Sequence, residues 1–154
     1  MPGGVEGTRV TGLAVRLVVI GVIVAGGILF RDRLTGGADE LKAGDCFDAK
    51  QADVVKEVQH HPCNEAHTAE VVLVRDYPAA KGATYPIGTA FDTWGDQTCA
   101  VAIMAYVGPS ANLDSLGYGI LYPSKSSWDG GDRGMICYVV GDSPMTKTLH
   151  AGAS

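Results

Sequence analysis

The chain has 154 residues, 46% of them hydrophobic and 19% charged, which leaves room for one domain plus an appendage rather than two full domains. Its net charge of −5 hides an uneven distribution: from Thr35 onward eight Lys/Arg stand against fifteen Asp/Glu, a net charge of −7. That sign argues against a nucleic-acid partner, whose phosphates select a basic surface, and gives no attraction to anionic lipid headgroups.

Residues 1–9, Gly-rich and short, read as a cytoplasmic stub. The run Leu17–Phe30 (LVVIGVIVAGGILF) contains no charge. As a helix it spans roughly 21 Å, short of the roughly 30 Å hydrocarbon core. Extended back to Val10 it reaches about 30 Å and takes in Arg16, which can snorkel to the headgroups. Val10–Phe30 therefore reads as a single transmembrane helix. A cleaved signal peptide is the main competitor, since Gly36–Asp39 offers small residues to a peptidase. Against it, Arg31, Asp32 and Arg33 intervene where charge is unwelcome. A lipoprotein signal is excluded, because the first cysteine after the run is Cys46. A buried helix of a soluble protein is the third reading, and all-round hydrophobicity argues against an ordinary half-exposed one.

Orientation is not decided by positive charge, because Arg9 and Arg16 precede the run while Arg31, Arg33 and Lys42 follow it. The cysteines decide better. Cys46, Cys63, Cys99 and Cys137 all follow the run, an even number in a small domain. That pattern fits disulfides in an oxidising compartment. The expectation is a cytoplasmic N-terminus and an extracytoplasmic remainder.

Residues 31–40 read as a polar linker, 41–140 as the folded domain and 141–154 as a polar tail. Val54–Val58 and Glu70–Arg75 read as valine-rich strands, the second buried on both faces or nearly so. Between Thr89 and Gly108 the residues Phe91, Trp94, Cys99, Ala102, Ile103 and Tyr106 recur at three and four. This predicts a helix with one buried face, Thr89 as N-cap and Gly108-Pro109 as the stop. Pro109–Gly119 reads as a loop with room for one helical turn. Gly119–Tyr122 and Gly134–Val140 are further strands, and Lys147–His150 a short one in the tail. The fold class is α+β: a small antiparallel sheet with one main helix, two disulfides and a preceding transmembrane helix.

Four cysteines allow three pairings. Position favours Cys46–Cys63, which bracket the first strand, and Cys99–Cys137, which staple helix to sheet. The motifs Gly44-Asp45-Cys46, Pro62-Cys63 with His67 and Glu70, Cys99 on a helix, and Pro123, Trp128, Gly131, Asp132, Arg133 and Cys137 follow one another in an order that resembles the actinobacterial septum-formation family. The resemblance covers about Leu41 to Val140. It implies an anchored or secreted domain of the cell envelope. It carries no biochemical activity over.

The stretch His60–Val71 (HHPCNEAHTAEV) admits three readings. Cys63, His67 and His60 or His61, with Cys46, supply enough donors for a metal, but an oxidised cysteine is no ligand. Cys63 with His67 suggests a thiol nucleophile, and His67 with Glu70 an acid–base pair. No oxyanion motif or Cys-x-x-Cys accompanies either. The third reading is architectural. Pro62-Cys63 makes a corner, and a bond from the His67 imidazole closes the loop. Gly130-Gly131 makes a turn, and Asp132 and Arg133 fix it; an ion pair from Arg133 to Glu70 or Asp45 is one arrangement this allows. The expectation is a single-pass membrane protein whose non-catalytic domain, without cofactor or metal, binds an envelope protein or wall polymer. The alternative is a metal protein or hydrolase centred on His60, His61, His67 and Glu70.

Overall fold

The computed structural model describes residues 35–50, 55–109 and 111–152. Val10–Phe30 lies outside the described residues, and among those described no helix is long and apolar enough to cross a membrane. The described residues contain six strands: Thr35–Gly37 (β1), Cys46–Asp48 (β2), Glu57–His61 (β3), His67–Asp76 (β4), Leu116–Leu121 (β5) and Gly134–Met145 (β6). All neighbours pair antiparallel, in the order β1-β3-β2-β4-β6-β5. Among the described residues two α-helices accompany them, Ala90–Val107 (α1) and Lys125–Asp129 (α2).

β4 and β6 form the spine, in register from Ala69↔Val140 to Asp76↔Gly134 apart from a shift between Val71 and Leu73. One face carries Phe47, Val58, Ala69, Val71 and Ile136, packed with Ala38 and Leu41. The other carries Val72, Cys137 and Val139 beneath Cys99, Ile103 and Val107 of α1. Burial on both faces is why Glu70–Val72 reads as continuous rather than alternating. It stops there: Val74 is 43% exposed.

α1 has the expected bounds and a buried stripe of Phe91, Gly95, Cys99, Ile103 and Val107, spaced strictly by four. Gly95 is part of that stripe for a steric reason. A Cβ there would lie 1.8 Å from Cδ1 of Ile120 on β5. Gly108 ends the helix at φ +71°. Thr89 stands at the N-cap position, but its side chain makes no capping bond.

Several boundaries differ from the sequence reading, among them β5, which starts at Leu116 inside the stretch read as a loop. The stretch read as linker contains β1 and a 3-10 turn at Ala38–Glu40. Gly36 of its glycine pair lies close to the His60 ring, since a Cβ there would sit 2.8 Å from Nε2 of His60. The strand expected at Val54–Val58 lies three residues later, at the polar Glu57–His61, because those residues pair with β1 on one side and β2 on the other. Two-sided pairing overrides valine propensity here. Trp128, for which no helix was expected, lies in α2, whose N-cap Ser124 accepts from the Ser127 amide at 3.1 Å. The tail is not a tail: β6 continues to Met145, and the chain beyond it packs back on the domain without forming the strand expected at Lys147–His150.

Candidate functional site

The Gly44-Asp45-Cys46 turn docks onto β4 through its backbone. Gly44 at φ +91° donates to the Val71 carbonyl at 2.8 Å, and the Val71 amide donates to the Asp45 carbonyl at 2.9 Å. The Asp45 carboxylate accepts from the Lys42 amide at 2.8 Å and closes the turn. Cys46 then lies between His61 on β3 and Glu70 on β4. It is bonded to Cys63, with Cα atoms 5.3 Å apart. Cys99 is bonded to Cys137 at 5.4 Å, across the core between α1 and β6. Both pairings are those expected, and among the described residues no cysteine is free.

His67 and Glu70 are both buried, at 1% and 0% exposure. His67 Nδ1 lies 2.8 Å from the Glu65 carbonyl, which can only accept, so Nδ1 carries the proton. Nε2 is left as a buried acceptor without a hydrogen-bond partner. Glu70 has no cation against it among the described residues. It is held instead by neutral donors: the Tyr106 hydroxyl at 2.6 Å, the Thr148 hydroxyl, and the Leu149 amide at 2.7 Å. Burial, and then the Glu70 carboxylate, push the Tyr106 phenol well above the ordinary range.

Two of these three donors come from the chain after β6. That segment also caps α1, since the Ala151 amide donates to the Tyr106 carbonyl at 2.9 Å and the His150 ring sits 4.7 Å from the Tyr106 ring. Tyr106 is legible in sequence only as a core position of the helix. Thr148 and Leu149 carry no sequence signal for contact with Glu70, 78 and 79 residues away.

The remaining histidines go elsewhere. His61 Nε2 bonds the Asp48 carboxylate at 2.9 Å, and His60 packs its ring over Gly36. Among the described residues, one group of three potential metal donors comes together: Cys46, Cys63 and Glu70, within 4.8 Å of one another. Both sulfurs there are in the disulfide, which is not a thiolate ligand. The set His60, His61, His67 and Glu70 is not gathered around a common point.

At the other end of the sheet, Gly131 at φ +103° makes the expected turn. Asp132 accepts from the Gly134 amide at 2.8 Å. Arg133 is buried and forms no ion pair with Glu70 or Asp45. Its guanidinium lies 3.7 Å from the centre of the Trp128 ring. It donates to the carbonyls of Trp128 at 2.8 Å, Asp132 at 2.7 Å and Ala80 at 3.4 Å. Trp128 donates from Nε1 to the Ala83 carbonyl at 2.7 Å and meets Tyr77, Tyr85 and Phe91 edge-on. This aromatic knot pins the loop 77–89 to the domain.

Each motif thus fixes one junction: turn to strand, strand to strand, helix to sheet, loop to strand. The sequence profile described as septum formation matches residues 43–152. The chain belongs to the septum-formation family. The match runs beyond Val140 and takes in the segment that closes over Glu70, so that closure is part of the septum-formation domain. Neither the curated proteins nor the solved structures contain a match to the chain.

Proposed function

We propose that this septum-formation domain is a non-catalytic binding module. A single N-terminal helix, Val10–Phe30, displays it on the outer side of the cell membrane, where it engages an envelope partner, a protein or a wall polymer, in septum formation or cell division. The observation that carries this reading is that its motif side chains are engaged within their own domain. His67, Glu70, Trp128 and Arg133 are buried, and with the exposed Asp132 they bond backbone groups or half-buried hydroxyls of that domain. Two disulfides suit an oxidising compartment, and the domain's acidity suits a soluble body beside a membrane.

The test uses the full chain in its own envelope. A photoreactive amino acid is placed in turn at Ile87, Val101 and Tyr118, which are 86%, 61% and 42% exposed. A light-dependent adduct at a subset of these positions, unchanged by Glu70→Gln, is the expected result. Adducts nowhere, or adducts lost with Glu70→Gln in a protein that stays folded, overturn it. Mass spectrometry of the membrane-extracted protein should find residues 10–30 intact. A mature start near Asp39 would rule out the anchor.

A further inference from the structure

We propose that the free edge of β5 is a docking site for an extended polypeptide segment with alternating basic and apolar side chains, which joins the sheet as a further strand. This rests on the binding-module reading and names the surface and the partner's chemistry.

β5 ends the sheet and pairs only with β6, from Leu116↔Gly141 to Leu121↔Ile136. In an antiparallel pair, alternate residues turn their N–H and C=O away from the partner strand. Among the described residues no hydrogen bond beyond the β6 ladder engages the backbone of Gly117–Leu121. Edges of this kind are normally guarded by lysine, proline, a bulge or brevity. β5 has none of these. Its sequence LGYGIL carries no charge and no proline, and its register is unbroken. The opposite edge, β1, is only three residues long. Gly117 leaves the backbone bare, because a Cβ there would meet nothing nearer than the Val140 carbonyl at 4.0 Å.

The two faces beside this edge differ. Even-numbered β5 residues point towards α1: Ile120 fills the space at Gly95, and the Tyr118 hydroxyl bonds the Asp96 carboxylate. Asp96 and Asp92 both push the Tyr118 phenol up, which places two exposed carboxylates along that side. α1 contains no Lys or Arg to offset them. Odd-numbered residues face the other way, where Gly119 lies under the Tyr138 ring and Leu121 packs with Tyr138 on the core cluster of Phe47 and Val71, opposite α1. An incoming strand therefore meets acid on the α1 side and apolar surface on the other. Lys or Arg at every second residue, with Val or Ile between, satisfies both. A second copy of this chain is the poorer fit, since pairing two β5 edges brings Asp92 and Asp96 of each copy towards the same seam.

The test is hydrogen–deuterium exchange on the full chain in detergent micelles, with a ten-residue alternating Lys-Val peptide as the probe. Exchange in the fragment holding 116–121 should slow at least tenfold at saturation. An Asp92→Asn/Asp96→Asn variant, altered only at exposed positions, should bind the peptide about tenfold more weakly. The same peptide N-methylated at every residue keeps its charge but has no backbone N–H left to pair on either edge, and it should have no effect. Unchanged β5 exchange, or an equal effect of the methylated peptide, overturns the proposal. So does β5 protection that rises with protein concentration alone, which would assign the edge to a second copy. Photoadducts at Val101 or Ile87 without β5 protection move the docking surface and leave the binding module standing. Adducts at none of the three positions remove both.

Discussion

The hydroxyl of Tyr106 donates to Oε1 of Glu70 at 2.6 Å, tying the last turn of α1 to the centre of β4 across 36 residues of sequence. A buried carboxylate without a cation is costly unless hydrogen bonds replace its water. Here three neutral donors do so, and Tyr106 is the one that belongs to the main helix.

Tyr106→Phe should therefore destabilise the domain by about 1–3 kcal/mol, the range for a bond to a buried charged group. For a domain near this size that is roughly 4–8 °C in Tm per kcal/mol. The pH dependence follows from the direction of the phenol's shift. The folded Tyr106 resists ionisation, whereas the unfolded one ionises near pH 10. Its contribution is complete below about pH 10 and is lost as pH rises towards the folded value. Tyr106→Phe should flatten the alkaline fall in stability without abolishing it, because Tyr85, Tyr118 and Tyr138 are shifted in the same direction. An alkaline limb identical in wild type and variant would count against this account.

The two disulfides should differ in reactivity. Cys99 and Cys137 are both at 0% exposure between α1 and β6, whereas Cys63 is half-buried just past the end of β3. Exchange needs a thiolate to reach a sulfur. Mild reductant followed by alkylation and peptide mass spectrometry should label Cys46 and Cys63 first, with the other pair opening only as the domain unfolds. Cys99→Ala/Cys137→Ala should cost about 2–5 kcal/mol. Simultaneous labelling of all four cysteines would contradict the burial argument.

Arg133 should not tolerate lysine. Its fork reaches three carbonyls while its plane lies on Trp128. A lysine ammonium is a point charge without that planar geometry. Arg133→Lys should lower stability by about 1–3 kcal/mol, loosen the loop 77–89 as read by proteolysis, and leave the exchange of β4 amides near Glu70 unchanged. Retained loop protection in Arg133→Lys would mean the knot is held by the aromatic rings alone.

How far the sequence announced all this depends on range. Cys99 shared a face with Ile103 and Phe91, so the helix and its bridge to Cys137 were legible from periodicity. Cys46 and Cys63 bracketed a strand, and their bridge followed. β1 was not legible, because Thr35-Gly36-Gly37 looks like linker and becomes a strand only through its pairing with Glu57–Gln59 of β3. α2 did have a signal, Ser124 three residues before Ser127, but five residues give no periodicity to confirm it. The partners of Glu70 were out of reach for a different reason. Nothing local marks Thr148 or Leu149 as its donors, because the pairing exists only once β6 has crossed the sheet.

His67 is the sharpest test of whether this site builds or acts. It is 1% exposed at the first residue of β4, four residues after the bridged Cys63, and its Nδ1–H holds the Glu65 carbonyl at 2.8 Å. The loop it closes carries backbone groups that need partners away from water. Removing the ring takes away that bond and leaves a cavity. His67→Ala should therefore lose about 1–3 kcal/mol and melt earlier. The bare Nε2 is what a metal or catalytic role would use, and such a role predicts the opposite balance. In an architectural role, the yield of partner photoadduct per folded molecule stays near the wild-type value, because His67 lies inside and the exposed edge lies across the sheet beyond β6. An unaltered melting curve together with loss of the adduct, or of stoichiometric zinc retained by the wild-type protein, would show that His67 acts rather than builds.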